Sequence, residues 1–159
     1  MDRVEELTRI YRLRPHPEGG AFSEVYTSAH RDAEGRACMG SIYFLLDGAD
    51  ISHLHVIDCD ELWYYHEGCG MRVTMIDGEG NMTTADLGPD ADRGQRAMCM
   101  IPAGTVFAAE NLDAAGYSFV SCATSPKFRY EGFRLVGRAE IAGRCPAQAQ
   151  ALLRLVYGE

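Results

Sequence analysis

Ten short runs rich in β-branched and aromatic residues fill the middle of the chain, and turn chemistry separates them. The runs are AFSEVYTS, ACMGSIYFLL, residues 51–56, ELWYYH, MRVTMI, MTTADL, AMCMI, TVFAA, YSFVSCAT and FRLVG. Asp47-Gly48, Glu67-Gly68, Asp77-Gly78, Gly88-Pro89-Asp90 and Pro102-Ala103-Gly104 punctuate them. Parallel strands would need helical crossovers of about a dozen residues, and no helical pattern lies between these runs. The chain is therefore expected to fold as an antiparallel β-sandwich or barrel.

Helical spacing is confined to the two ends. Asp2 with Glu5 forms a capping box, and Val4, Leu7, Ile10 and Tyr11 recur on one face until Arg14-Pro15. Near the other end, Pro146 opens a second expected helix, whose stripe is Ala149, Leu152, Leu153 and Val156 and whose stop is Gly158. With 159 residues and no linker, repeat or low-complexity run, one domain over 1–159 is expected.

The net charge of −8 gives a field that repels phosphate backbones and anionic lipid. Lys127 is the sole lysine, so there is no polybasic run. No nucleic-acid or membrane partner is expected. The start MDRVEELTRIYRL has no continuous apolar stretch, which predicts a cytosolic protein without a signal peptide. Six cysteines stand singly with no C-x-x-C pair, as reduced thiols do.

The candidate chemistry gathers between residues 53 and 65. On a regular strand His53 and His55 leave the same face, and Glu61 can return to it after the turn at 58–60. Two imidazoles and a carboxylate would then form a facial triad for a divalent transition metal, the one candidate cofactor. Trp63 and Tyr65 alternate onto the side of Glu61 and would wall a pocket. The run His16-Pro17-Glu18-Gly19-Gly20 precedes a strand and not a helix, so it reads as a chain reversal rather than a phosphate loop. No nucleophile elbow or catalytic-cysteine signature is present.

Gly48, His53, His55, Glu61 and Gly68 resemble the first cupin motif, and Pro102, Gly104 and Asn111 resemble the second. Phe107 stands where a metal-binding cupin has its last histidine. A closer likeness runs through LRPHPEGGAFSEVYTS, SIYFLLDG, SHLHVIDCDELWYYHEG, IPAGTVFAA and SPKFRYEGFRL: the chain is similar to the DUF985, or cupin 5, branch. That branch places its histidine on His55, its acid on Glu61 and its indole on Trp63. Val56, Val106 and Met98 stand where other members carry arginine, tryptophan and glutamine.

The resemblance implies an all-β, cupin-type double-stranded β-helix jelly-roll barrel with short terminal helices, assembled as a homodimer. It also implies a small-molecule ligand in the interior. The expected ligand-binding residues are His53, Trp63, Phe107, Phe128 and Glu18, with Glu18 and the glycines carrying an N-terminal strand across the mouth. Two catalytic alternatives stay open beside binding alone. A metal-dependent oxygenase or isomerase would use His53, His55 and Glu61 as ligands. A metal-free sugar epimerase resembling those acting on nucleotide-linked sugars would use catalytic residues His55, Glu61 and Tyr65, with His55 as base and Tyr65 returning the proton.

Overall fold

The computed structural model describes residues 2–158. Helix α1 (Arg3–Tyr11) opens the chain, and its capping box forms as the sequence predicts: Asp2 accepts from Glu5 N–H while the Glu5 side chain accepts from Asp2 N–H. The strands follow as β1 (Arg14–Pro15), β2 (Ala21–Thr27), β3 (Gly40–Asp47), β4 (Ile51–Val56), β5 (Asp60–Gly68) and β6 (Met71–Ile76). Then come β7 (Met82–Leu87), β8 (Met98–Ile101), β9 (Val106–Asn111), β10 (Tyr117–Ser125) and β11 (Arg134–Leu135).

Two antiparallel sheets result, in the orders β1-β2-β3-β10-β5-β8 and β11-β4-β9-β6-β7. This is a two-sheet β-sandwich. Period-two alternation decides what each face buries. Phe44 and Leu46 of β3, Val120 and Cys122 of β10, and Phe107 and Ala109 of β9 meet in one cluster between the sheets. Their neighbours point outward. Leu45 and Phe119 pack under α1 with Leu7, while Val106 and Ala108 pack under the C-terminal segment with Ile141, Leu152 and Leu155. Each terminal helical segment thus covers the outer face of one sheet. A side chain such as Leu7, only 1% exposed, contributes about 2 kcal/mol by that burial.

The C-terminal region differs from expectation. One closing helix was expected, yet the chain forms α2 (Arg138–Arg144), α3 (Ala149–Leu152) and a 3-10 turn at Leu153–Leu155. Pro146 falls between α2 and α3. Only Ile141 and Cys145 face the core in the first piece, too short a stripe to register as helical periodicity. The FRLVG run shrinks to the two residues of β11, whose continuation is turned into α2. Among the described residues no helix is long and apolar enough to cross a membrane.

Candidate functional site

The loop after β1 carries Glu18 inward. His16 N–H donates to Gly20 O at 2.9 Å and Gly19 N–H to His16 O at 3.0 Å, closing a tight reversal. Gly19 has φ +106°, and a Cβ there would lie 2.0 Å from Ile51 O. Only glycine permits this close approach to β4. The approach lets the Glu18 carbonyl accept from His53 N–H (2.8 Å) and His53 Nδ1–H (2.7 Å). The Glu18 carboxylate then enters the space between the sheets, where Ser52 Oγ donates to Oε1 at 2.9 Å and His55 Nε2 lies 2.9 Å from Oε2.

His53 and His55 do not share a face. In the β4–β9 pairing Ser52 lies opposite Ala109 and His55 opposite Phe107, three steps on one strand against two on the other. This bulge turns Ser52 and His55 inward together and rotates His53 away. The His53 ring packs against Tyr157, 5.0 Å between centroids, and it does not line the cavity. The expectation of His53 as a direct ligand contact is corrected by this bulge. It holds the Glu18 backbone instead.

His55 Nδ1 lies 2.7 Å from the His53 carbonyl, which can only accept, so Nδ1 carries a hydrogen. Nε2 faces a carboxylate and shares a second proton with it. Burial would lower the His55 pKa, but the charge and hydrogen bond of Glu18 outweigh it and raise the pKa above the ordinary imidazole value. For Glu18 burial acts upward, and the charge and hydrogen bond of His55, with the Ser52 hydrogen bond, bring it below the usual carboxylate value. The pair is a buried imidazolium–carboxylate. His16 is the opposite case: its Nδ1 accepts from Glu18 N–H at 3.2 Å, and burial lowers its pKa and keeps it neutral.

Glu61, at the start of β5, is brought to the same place with 7% of its surface exposed. Burial first, and then the negative charge of Glu18, push its carboxyl up to about 7, against a smaller opposing pull from His55. Near neutral pH it alternates between proton donor and acceptor. The Cys122 thiol beside it is raised well above its usual value by burial and stays protonated.

The other expected residues divide. Phe128 lines the cavity. Phe107 is wholly buried with its ring 4.1 Å from that of His55, closing the imidazole face rather than lining the open space. Trp63 is core, edge-on to Phe44 at 5.5 Å, and its buried Nε1–H makes no well-formed hydrogen bond, though the indole lies near enough to Glu61 to oppose the rise in its pKa. Tyr65 is not in the cavity, and its hydroxyl donates to Gly68 O at 2.8 Å. Its expected role in returning a proton to substrate is corrected on that ground, and Glu61 is the proton-bearing group that the cavity presents.

The cavity holds about 90 Å³ against the inner face of the six-stranded sheet. Glu18, His55 and Glu61 contribute its polar groups, with His16 beside them. Phe22, Ile42, Ile57 and Phe128 supply apolar wall. Arg14, Glu24, Lys127 and Tyr130 also line it, and the sequence reading missed all four together with His16 and Ser52. The signal for His16 was its place beside Glu18 in the reversal; Lys127 was flagged only as the sole lysine.

The metal implied by the fold family does not fit these donors. Both His55 nitrogens are committed, His53 is turned out of the cavity, and Phe107 fills the position of a further histidine. Among the described residues no three His, Cys, Asp or Glu side chains are placed to hold an ion. The expected triad of His53, His55 and Glu61 is undone by the β4 bulge.

Sequence comparison agrees with the fold. The profile of the cupin 5 family, described as Cupin superfamily (DUF985), matches residues 5–136, and the chain belongs to that family. A protein from Shewanella oneidensis has 32% identity over the full length of both chains, with TM-score 0.93. A hypothetical protein from Leishmania major has 31% identity over 99% of this chain and all of its own, with TM-score 0.88. Oxalate decarboxylase from Bacillus subtilis shares the fold at 20% identity and TM-score 0.57, over 91% of this chain and 37% of its own. No curated protein matches.

Proposed function

We propose that the protein is a cytosolic small-molecule-binding cupin whose ligand enters the cavity between the sheets. The observation that carries this reading is the convergence of Glu18, His55 and Glu61 from three separate segments onto one open, partly aromatic space. Ionisable groups gathered in a cavity with apolar walls are costly for stability and serve a ligand. The strand orders support the finer fold: β3, β10, β5 and β8 opposite β4, β9, β6 and β7 is the order of a jelly roll. Homodimer formation belongs to the same reading. Edge strand β8 exposes Met98 and Met100 beside Tyr64 of β5, an apolar strip that a second copy would cover.

The test is native mass spectrometry of untagged protein, with calorimetry on any ligand it carries. Added mass that is lost in Glu61→Gln supports the reading. Ligand retained with equal affinity by Glu61→Gln and by an Ile42→Trp variant that fills the cavity refutes it.

A second reading, metal-free isomerisation by proton transfer, is favoured by the position of Glu61. Its carboxylate would take a proton from carbon next to a substrate carbonyl, and its acid form would return that proton at the neighbouring atom. Imidazolium His55, with both nitrogens already bonded, would act on the negative oxygen formed between those steps through its charge and not as a hydrogen-bond donor. Deuterium exchange into substrate that disappears in Glu61→Gln and persists in Tyr65→Phe supports this reading.

A further inference from the structure

Two ion pairs cancel within the cavity lining, which leaves the Glu61 carboxyl, partly ionised near neutral pH, and one cation outside the pairs. Glu18 is matched by His55. Glu24 is matched by Lys127, whose Nζ donates to Glu24 Oε1 and Thr27 Oγ1, both at 2.8 Å. Arg14 remains. Its guanidinium lies over the Phe22 ring at 5.0 Å and makes no hydrogen bond among the described residues, while its charge acts on Glu24 through space. Stacking keeps the guanidinium at the cavity while its fork of N–H donors stays available.

Size and wall chemistry narrow the occupant. The cavity of about 90 Å³ is small, which favours a compact ligand. Phe22 and Phe128 suit a short apolar body. Glu61 in its acid form donates to a carbonyl oxygen, and in its ionised form accepts from a hydroxyl. A dianion would exceed the one positive charge outside the two ion pairs and face Glu18, Glu24 and Glu61. A planar carboxylate matches the guanidinium fork.

Resting on the ligand-binding reading of this cavity, we infer that it takes a small monocarboxylic acid bearing a second oxygen as a keto or hydroxy group. The carboxylate pairs with Arg14, and the second oxygen meets Glu61.

The experiment titrates isotopically labelled protein with 2-oxobutyrate and 2-hydroxybutyrate, with their methyl esters, and with inorganic phosphate, glucose and ethanolamine. Resonances of His55 and Phe128 report binding. The two acids are expected to bind at least about tenfold more tightly than their esters. Arg14→Gln should weaken the acids by at least about tenfold and leave the esters unchanged, and Arg14→Lys should lose less. Arg14 is exposed, so these variants should melt with the parent. Esters, glucose, phosphate or ethanolamine binding as tightly as the acids, or acids indifferent to Arg14→Gln, overturns the inference while leaving a ligand cavity in place. No movement of His55 or Phe128 with any probe overturns the inference too. The broader reading then fails only if the purified protein also carries no ligand that depends on Glu61.

Discussion

His55 Nε2 and Glu18 Oε2 stand 2.9 Å apart with almost no access to solvent, and the other ring nitrogen is already spent on the His53 carbonyl at 2.7 Å. The proton between them is therefore structural. It fixes the imidazole as a cation and leaves Glu61 as the group free to change its protonation near neutrality.

Replacing Glu18 with glutamine removes the charge that sustains this cation. Burial, the largest influence on His55, is then opposed only by the His53 carbonyl and Glu61, and the His55 pKa should fall, read by NMR of the ring protons. The protein should lose about 2 kcal/mol of stability, since Ser52 keeps a partner while the ion pair is lost. A His55 pKa that stays raised in Glu18→Gln would contradict the assignment.

Stability should fall as pH rises from about 5 to 8. The His55 pKa is raised on folding, so its contribution is complete below 6.5 and is lost as pH climbs through the folded value. The Glu18 pKa is lowered, so its contribution is present above 4.5 and is lost only as pH falls through the folded value. Glu61 keeps its proton in the folded state up to about 7 while the unfolded chain releases it at about 4.5. That difference removes on the order of 3 kcal/mol between those two values. Thermal melts across this range should show the decline, and Glu61→Gln should flatten much of it and exceed the parent at pH 8. A parent stability that rises with pH, or an unchanged slope in Glu61→Gln, counts against a buried carboxyl at this position.

Most of the strand plan was legible because turn chemistry and alternation are local. Residues 51–56, 71–76 and 82–87 formed strands with the bounds that the sequence suggested. Glu61 was legible for the same reason, as a carboxylate entering an aromatic strand. The relation of His53 to His55 was not. A bulge adds one residue against the partner strand, and nothing in SHLHV announces it, so the period-two rule failed where the site depends on it. Glu18 was placed at the mouth when it is in fact the charged partner of His55, because only the pairing of β1 with β2 and the seating of Gly19 on Ile51 carry the loop inward. Arg14, His16 and Lys127 join through the same long-range pairings and carry no motif of their own.

Gly19→Ala tests that seating. A Cβ 2.0 Å from Ile51 O at φ +106° forces the loop off β4, at a stability loss of at least about 2 kcal/mol by denaturant unfolding. Because Glu18 moves with the loop, the His55 pKa should drop in the same variant. An alanine variant with parent stability and an unshifted His55 would mean that the loop is not held against β4.

Tyr65→Phe separates the cavity from the aromatic strand beside it. The variant loses one hydrogen bond to Gly68 O and should cost about 1 kcal/mol, with ligand affinity unchanged. A marked loss of affinity at parent stability would return Tyr65 to the site.

The most direct measurement is a carboxyl titration by NMR, with glutamate side chains labelled and Glu18→Gln and Glu61→Gln used for assignment. The Glu61 midpoint is expected at about 7, with Glu18 titrating below the usual carboxylate value and His55 above the ordinary imidazole value. An ordinary midpoint for Glu61, or a Glu18 that takes up a proton near neutrality in its place, would contradict that expectation.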